Sequence, residues 1–304
     1  MGDSFNFTLN MAELTKYRII KELGSQKKRK FGSVYLVEHK ETGQKAVLKH
    51  VNKDSVNETI LERLRCEASF DFHLNGLPKT YYFDETETEL ILLKEYFEGI
   101  PLDVFWNKVN RKERLTILKS IFCLLTPLFE HLNKTSIAHC DLKPSNIIIQ
   151  KTENELSVAI IDFGMAIRYP AIEKRSILFP LGYAAPELLL NELELIDQRT
   201  DIYSLGIIIW RLFENKLPLM HPNPSVFTNL QLNHPTPEGD SIPKNLMKLI
   251  SEMTSKYAFE RPPNQLDANE RVKKLRIGIN NRPTNFTEVL EKLSAVKEKK
   301  WIFF

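Results

Sequence analysis

The sequence predicts an α+β fold with two lobes: a small antiparallel β-sheet lobe that carries one helix, and a large, mainly helical lobe. Residues 17–98 alternate short runs of apolar, β-branched and aromatic residues with turns of Gly, Asn and charged residues, as is typical of antiparallel strands. From about residue 99 onwards, apolar residues recur at steps of three and four, which indicates helices packed on a core. A chain of 304 residues is long enough to bury such a core.

The small lobe is predicted from its apolar runs. Strands are expected at 33–37, 46–48 and 90–93. One helix is expected at about 57–74, because several apolar residues would then share one face. These residues are Ile60, Leu61, Leu64 and Ala68.

The large lobe is predicted from its helical periodicity. Helices are expected at 112–133, 202–214, 244–256 and 284–297. The first has a broad apolar face that consists of Leu115, Leu118, Phe122, Leu125, Phe129 and Leu132. The second is apolar on most sides, so we expect it to be buried.

The bulk properties of the chain exclude several classes of protein. The net charge of +3 is too small to indicate a nucleic-acid partner. The three cysteines lie far apart, which favours a reducing compartment over a disulfide framework. Residues 1–15 lack the basic and apolar parts of a secretory signal, and no apolar run approaches the roughly 18 residues of a membrane span. We therefore expect a cytoplasmic protein without a transmembrane segment, with nuclear entry or export from the producing cell as the alternatives.

Two motifs in the large lobe point to a chemistry. Residues 139–146 read His-Cys-Asp-Leu-Lys-Pro-Ser-Asn, and sixteen residues after this Asn comes Asp162-Phe163-Gly164. Phosphoryl transfer needs an Asp that holds the attacking hydroxyl and accepts its proton, a cation near the moving phosphate, and oxygen ligands for a metal ion. Residue types that supply these groups occur here in the required order: Asp141, Lys143, Asn146 and Asp162.

Together, the two motifs resemble the catalytic loop and the metal-binding Asp of eukaryotic-type protein kinases. The resemblance implies a bilobal protein-kinase-like fold that uses ATP and Mg²⁺, with Mn²⁺ as the alternative metal. Asp141 would be the catalytic base, and Lys143 would stabilise charge on the transferred phosphoryl group. Asn146 and Asp162 would hold the metal. The Lys143-Pro144 pair is similar to that of Ser/Thr kinases, which implies protein substrates with a Ser or Thr acceptor.

The resemblance extends to the nucleotide site of the small lobe. Lys49 ends the run 46–49, which is similar to the strand of the phosphate-binding Lys, and Glu67 on the predicted helix would be its partner. Adenine would bind backbone groups of Glu95 and Phe97, which resemble the hinge of the family. The nucleotide-binding residues that the resemblance implies are Leu23, Gly24, Phe31, Gly32, Val34, Ala46, Lys49, Glu95, Phe97 and Ile148.

The phosphate loop departs from the family pattern Gly-x-Gly-x-Phe-Gly-x-Val. Its end, Phe31-Gly32-Ser33-Val34, fits, but the middle Gly is absent and extra residues follow Gly24. The inserted basic run Lys27–Lys30 could neutralise phosphate charge, bind an acidic partner or act as a nuclear import signal. It could equally be a solvated loop tip.

Lys94 is the second departure. In the family register it guards the back of the nucleotide pocket, a position that is usually apolar. Since a buried Lys is rare without a partner, there are two alternatives. Either Lys94 pairs with a carboxylate such as Glu67, or the register shifts by one residue and Leu93 takes the position.

Two further departures concern control and substrate binding. Cys140 precedes the catalytic Asp where many kinases carry an Arg, which pairs with a phosphate on the activation loop. We therefore expect activity that does not depend on phosphorylation of this loop, although Ser176 is available there. Pro180 stands where Ser/Thr kinases usually carry a Thr that contacts the catalytic Asp, which implies unusual binding of the substrate peptide.

Two acidic residues resemble structural anchors of the family's large lobe. Glu187, in Ala185-Pro186-Glu187, should pair with a buried Arg. Arg261 fits by spacing, and Arg282 is the second candidate. Asp201 resembles the Asp that anchors the catalytic loop from a buried helix.

The resemblance also divides the chain. The expected parts are an N-terminal extension (1–16), an N-lobe that binds nucleotide (17–98), a C-lobe with the catalytic loop (99–295) and a C-terminal tail (296–304). The tip of the tail, 301–304, is aromatic; we expect it to pack on the body, with a role in docking or membrane contact as the alternative. A regulatory partner could bind this tip or the basic run.

The expected function is an active Ser/Thr protein kinase. The first alternative is a pseudokinase, in which the same fold acts as a nucleotide-binding scaffold or an allosteric partner. The second alternative is a kinase of a small molecule or lipid. The oligomeric state is not predicted.

Overall fold

The computed structural model describes residues 13–23, 32–171 and 181–297. The chain divides into two compact units, Met1–Phe97 and Glu98–Phe304. The first contains an antiparallel sheet with one α-helix, and the second is mainly helical. The predicted fold class is therefore confirmed.

The first unit is built on a five-stranded antiparallel sheet in the order β1-β2-β3-β5-β4. Its strands are β1 (Tyr17–Glu22), β2 (Ser33–His39), β3 (Lys45–Asn52), β4 (Thr80–Glu85) and β5 (Glu89–Glu95). Helix α1 (Glu58–Ala68) packs on one face of this sheet. The core between helix and sheet consists of Val51, Ile60, Leu61, Leu64, Leu90 and Leu92.

Helix α1 is shorter than the predicted 57–74. It begins after Asn57, whose side chain accepts a hydrogen bond from the amide of Ile60 at 3.2 Å. It ends at Ala68 because the burial pattern changes there from helical to alternating: Phe70 and Phe72 are buried, whereas Asp71 between them is exposed. A period of two fits extended chain rather than helix.

The second unit combines short strand pairs with most of the helices. Its strands are β6 (Ile100–Pro101), β7 (Ile137–Ala138), β8 (Ile147–Lys151), β9 (Leu156–Ile160) and β10 (Ile167–Arg168). Its α-helices are α2 (Leu102–Trp106), α3 (Arg114–Lys134), α4 (Pro186–Leu189), α5 (Gln198–Glu214), α6 (Pro224–Asn233), α7 (Lys244–Met253), α8 (Ala268–Asn280) and α9 (Phe286–Ala295). Strands β6, β8 and β9 form one small sheet, and β7 pairs with β10.

Helix α3 is a core helix of this unit. It buries nine residues, and Phe129 stacks on Phe286 of α9 with ring centroids 4.1 Å apart. By length and composition alone, the segment Arg111–Lys134 is apolar enough to cross a membrane, although the sequence was expected to hold no such run; a single helix of this kind is weak evidence for a span. Buried core helices of soluble proteins pass the same test, and half of its most apolar stretch is buried in this fold.

The four predicted helices of the large lobe occur as α3, α5, α7 and α9, with ends shifted by a few residues. Helix α5 begins earlier than predicted because Asp197 caps it and accepts a hydrogen bond from the amide of Arg199 at 2.7 Å. Helices α6 and α8 were not predicted. They bury only two and three residues, too few to give a recognisable apolar stripe.

Candidate functional site

Lys49 and Glu67 form an ion pair within the first unit. The Nζ atom of Lys49 lies 2.7 and 2.5 Å from the two carboxylate oxygens of Glu67. Strand β3 supplies the lysine, and Glu67 lies on the buried face of α1, one residue before the helix ends. The predicted partner of Lys49 is thus confirmed.

The register of the sheet shows which residues share a face with Lys49. Val34 of β2 pairs directly with Lys49, and cross-strand partners lie on the same face. Since side chains alternate along a strand, Val47 is also on this face, whereas Ala46 lies on the opposite one, buried against Tyr35. Ala46, which was predicted together with Val34 to line the nucleotide site, thus lies on the opposite face from Val34, and Val47 lies on the Val34 face.

Gly32 is a position that only glycine fills without strain. Its φ of 79° lies in the left-handed region, and a Cβ atom there would lie 2.8 Å from the carbonyl oxygen of His50. Next to it, the amide of Leu23 donates a hydrogen bond of 2.7 Å to the carbonyl of Val34. These contacts fix the two ends of the loop, whereas Gly24, Phe31 and Lys27–Lys30 lie outside the described residues.

Lys94 is buried, and its register follows from strand pairing. It pairs with Val47 and therefore shares the Lys49 face, whereas Leu93 pairs with Leu48 and faces the other way. Of the two alternatives, the strand register thus favours Lys94 over Leu93 at this position, and its hydrogen-bond partners are carbonyls and a hydroxyl rather than a carboxylate. The Nζ atom donates to the carbonyls of Phe70 (2.6 Å) and Glu67 (3.4 Å) and to the Thr80 hydroxyl (2.8 Å).

The remaining nucleotide-binding candidates are half-buried. Glu95 ends β5, where its amide donates a hydrogen bond of 2.9 Å to the carbonyl of Lys79. Phe97 is the last residue of the first unit. Ile148 lies in the second unit, on β8, opposite Ala159 of β9.

The catalytic loop, 139–146, is anchored by Asp201 of helix α5. The Asp201 carboxylate accepts hydrogen bonds from the amides of His139 (2.7 Å) and Cys140 (3.0 Å). Burial raises the pKa of Asp201, while the His139 ring and the two amides oppose this shift. The anchoring role predicted for Asp201 is confirmed. It holds Cys140 in a left-handed conformation, with φ 62°.

Within this loop, Asp141 is fixed by two neighbours. The Nζ atom of Lys143 lies 2.6 Å from Oδ2 of Asp141, and the Asn146 side-chain amide donates to the Asp141 carbonyl at 2.9 Å. The Asp141 side chain is buried, and that of Lys143 is partly exposed. The loop therefore presents a carboxylate and an ammonium group side by side, the types of group that can accept a proton and bind an anion.

Asn146 and Asp162 lie at the same end of the β8–β9 pair. Ile147 of β8 pairs with Ile160 of β9, and beyond this pair the Ile161 amide donates to the Asn146 carbonyl at 2.9 Å. Asp162 follows with a φ of 68°, and Phe163 is buried with its ring 4.7 Å from that of His139. The backbone thus brings the two predicted metal ligands to one place.

The donor set at this place fits Mg²⁺. Asn146 uses its amide nitrogen to bind the Asp141 carbonyl, and its side-chain oxygen accepts a hydrogen bond of 3.4 Å from the Ser145 hydroxyl. This amide oxygen and the carboxylate of Asp162 are the types of ligand that Mg²⁺ takes. Among the described residues, no cluster of three or more His, Cys, Asp or Glu could hold a metal by itself. Mg²⁺ usually takes one or two protein oxygens together with substrate phosphates.

Glu187 pairs with Arg282, not with the first candidate, Arg261. Two Arg282 nitrogens lie 2.6 and 3.0 Å from the Glu187 carboxylate, and both side chains are fully buried. Thr200 donates a further hydrogen bond of 3.0 Å to the same carboxylate. Arg261 instead contacts Glu270 at 3.3 Å on the surface, because it precedes two prolines in an exposed turn.

Sequence reasoning missed two residues of the site. Val47 could have been found from strand alternation, because it lies two residues before Lys49. Thr80 gave no signal, since its contact with Lys94 depends on the pairing of β4 with β5. Ser176, Pro180 and the aromatic tip 301–304 lie outside the described residues.

The comparisons with known proteins agree with this geometry. Residues 17–271 match the model of the protein kinase domain. The chain is 33% identical over 198 residues to myosin light chain kinase 2 of skeletal and cardiac muscle from Oryctolagus cuniculus, covering 63% of this chain and 31% of that protein. It is 27% identical over 244 residues to the probable serine/threonine-protein kinase pXi of Dictyostelium discoideum, covering 79% and 34%.

A third relative is the carbon catabolite-derepressing protein kinase of Candida glabrata, with 28% identity over 262 residues, 84% of this chain and 40% of that protein. The chain thus spans about a third of the length of the curated relatives it matches. The kinase domain model, in contrast, covers most of the chain. The chain belongs to the eukaryotic-type protein kinase family.

Proposed function

We propose that this chain is an ATP- and Mg²⁺-dependent protein kinase that transfers the γ-phosphate of ATP to Ser and Thr hydroxyls. The observation that carries the proposal is the contact between Asp141 and Lys143 on a loop anchored by Asp201. Family membership supports a protein as the substrate. Relatives such as the probable serine/threonine-protein kinase pXi support Ser and Thr as acceptors, and so does the Lys143-Pro144 pair.

In this reaction Asp141 accepts the proton of the attacking hydroxyl. The hydroxyl oxygen forms a bond to the γ-phosphorus, the bond from this phosphorus to the β–γ bridging oxygen breaks, and ADP leaves. Lys143, 2.6 Å from Asp141, neutralises charge that develops on the transferred phosphoryl group. A bound Mg²⁺, held by Asn146 and Asp162, would neutralise the phosphates.

Lys49 binds phosphate oxygens of the nucleotide, and Glu67 keeps the lysine side chain in place. The ion pair between them, with both oxygens of Glu67 within 2.7 Å of Nζ, supports this role. Gly32 directly precedes β2, the strand beside Lys49, and Val34 is the second residue of that strand. In the proposal, the backbone amides of these residues contact the phosphates, because the glycine pattern that supplies such amides in the family is incomplete here.

Activity in this proposal does not depend on a phosphate on the activation loop. Cys140, at the position of the family's phosphate-binding Arg, is buried in an apolar cluster with Met165, Ile167 and Leu188. The residues packed around Cys140 in this cluster are apolar, so none of them takes the place of the family's phosphate-binding Arg. The expected result is equal activity of the wild type and Ser176→Ala, while a large gain in a Ser176 phosphoprotein would contradict this part.

A pseudokinase is the second candidate, and Lys94 is the observation that favours it. A buried cation on the face of Lys49 changes the charge around the expected nucleotide site. If the chain is a pseudokinase, binding of ATP or of a partner should raise its melting temperature, but no phosphate transfer should be detected.

Transfer from labelled Mg-ATP to a generic substrate with Ser, Thr and Tyr acceptors tests the proposal. We expect label on Ser and Thr only, and loss of transfer when EDTA removes the metal. Label on Tyr alone, or on a small molecule but no protein, would contradict the proposed substrate class. A folded protein that transfers nothing would favour the pseudokinase.

A further inference from the structure

Lys94 has no part in the chemistry proposed above, yet it is among the most buried charged residues of the described chain, with 3% of its surface exposed. It lies on β5, two residues after Leu92, and Leu92 is the cross-strand partner of Lys49. Lys94 therefore lies on the same sheet face as Lys49. Helix α1 covers this face. A lysine at this place therefore points at the helix that carries Glu67.

The contacts of Lys94 converge on the end of α1. Its Nζ atom donates to the carbonyl of Phe70 at 2.6 Å and lies 3.4 Å from the carbonyl of Glu67. The third partner, the Thr80 hydroxyl at 2.8 Å, donates in turn to the Phe70 carbonyl at 3.1 Å. The ammonium group of Lys94, on β5, thus connects β4 with the segment that follows α1.

We propose that Lys94 is a positioning residue that holds the C-terminal end of α1, so that Glu67 meets Lys49. The inference deepens the proposed function, because it rests on Lys49 as the phosphate-binding lysine. Glu67 is held from two sides: Lys49 binds its carboxylate, and Lys94 binds its backbone. An apolar side chain at position 94 could pack against α1 but could not donate the hydrogen bond to the Glu67 backbone.

The physical basis is the helix end. The last carbonyls of a helix have no partner within it, and the aligned peptide dipoles place partial negative charge there, which a cation stabilises. A hydrogen bond from a charged donor is about twice as strong as one between neutral groups. Such a bond is enough to decide whether the last turn of a short helix stays formed.

The charged groups around Lys94 balance each other in part. The carboxylates of Glu67, Asp71 and Glu95 favour its cation, and Lys49 opposes it. Burial is the largest effect and lowers the pKa of Lys94 to about 8. Lys94 is therefore mostly charged at neutral pH, which the positioning role requires.

A double-mutant cycle tests the proposal, with Lys94→Met, Glu67→Gln and the double variant. Lys40→Met is the matched control, because this lysine also bonds a backbone carbonyl of the first unit, that of Thr15, but far from α1 in the sheet order. We expect Lys94→Met to lower kcat/KM for Mg-ATP by about tenfold or more, the loss of one charged hydrogen bond. Lys40→Met should leave it unchanged.

The cycle separates positioning from a general effect on folding. If Lys94 acts through Glu67, the double variant should be no worse than Glu67→Gln alone, because the effects of coupled residues do not add. Additive losses, or an unchanged kcat/KM in Lys94→Met, would overturn the proposal while the proposed function stands.

Hydrogen exchange provides a readout without catalysis. The amide of Ser69 bonds the Arg65 carbonyl and that of Phe70 bonds the Glu67 carbonyl. We expect faster exchange of both amides in Lys94→Met but not in Lys40→Met. If the wild type transfers no phosphate, the proposed function fails, but hydrogen exchange still tests the positioning role of Lys94. Unchanged protection of the two amides in Lys94→Met would overturn that role.

Discussion

At the scale of single residues, the large unit depends on buried charges that hold backbone and side chains in place. Asp201 fixes the catalytic loop through two amides, and Glu187 is bound by Arg282 and Thr200. Such groups stabilise a fold only while their partners are present, because an unpaired buried charge is costly. Truncating one member should therefore cost far more than removing a surface pair.

Arg282→Leu tests this difference. We expect the variant to lose about 3–5 kcal/mol of the free energy of unfolding, because Glu187 would stay buried without its charged partner. Arg261→Leu is the matched control. It breaks a surface pair in which the arginine side chain is 61% exposed, and such pairs contribute at most about 1 kcal/mol. Urea denaturation measures both, and equal losses would contradict the assignment of Arg282.

Motifs that resemble those of the family, together with their spacing, predicted Lys49–Glu67 and Asp201. They could not choose between Arg261 and Arg282, since that choice depends on which arginine the fold buries. Position 94 shows the same limit. Strand periodicity cannot reveal that two carbonyls and a hydroxyl gather around its side chain.

At the scale of elements, the register of the sheet decides which side chains meet. Pairing of β3 with β2 and β5 places Val34, Val47 and Lys94 on the Lys49 face. The sequence indicated the strands but not this alternation in full: Ala46, which was grouped with Val34 in the prediction, lies on the opposite face of the sheet. The apolar pattern also predicted too great a length for α1. The buried aromatic residues after Ala68 alternate with an exposed one and do not follow a helical period.

Gly32→Ala tests the start of β2. The left-handed φ of 79° costs about 1–2 kcal/mol for any L-residue, and the contact of the new Cβ atom with His50 O adds to it. Gly43→Ala is the matched control, because its φ of 70° carries the same backbone cost while nothing lies within 4 Å of its Cβ position. We expect the larger loss of stability, and a higher KM for Mg-ATP, in Gly32→Ala; equal effects in both would contradict the account.

At the scale of the whole molecule, the order of a sheet unit and a helical unit follows from periodicity along the chain. Helices α3, α5, α7 and α9 have strong apolar faces and were predicted. Helices α6 and α8 have few buried residues, so their existence depends on packing and capping within the assembled unit. Tertiary structure, not local pattern, determines them.

The stability of the molecule should also depend on pH through Lys256. Its Nζ atom donates to the Gln231 carbonyl at 2.7 Å, and burial, with repulsion from Arg282, lowers its pKa from 10.5 to about 7. Between these values the folded chain binds fewer protons than the unfolded chain, so this group makes the free energy of unfolding rise with pH.

We therefore expect the wild type to gain stability relative to Lys256→Met as the pH rises from about 7 towards 10, the window set by the lowered pKa. Lys248→Met, which removes an exposed lysine of α7, should show no such change. Urea denaturation across this range measures the difference. A constant or falling difference for Lys256→Met would contradict the burial of its charge.

The measurement that tests the central claim most directly is the rate of phosphate transfer from labelled Mg-ATP by the wild type and by Asp141→Asn. The substitution keeps the size of the side chain beside Lys143 but removes the proton acceptor, which typically contributes about 10²–10⁴-fold. We predict measurable transfer by the wild type and a loss of that size in the variant, with both proteins folded. Equal rates in the two, or no transfer by either, would contradict the claim that this site is a working kinase.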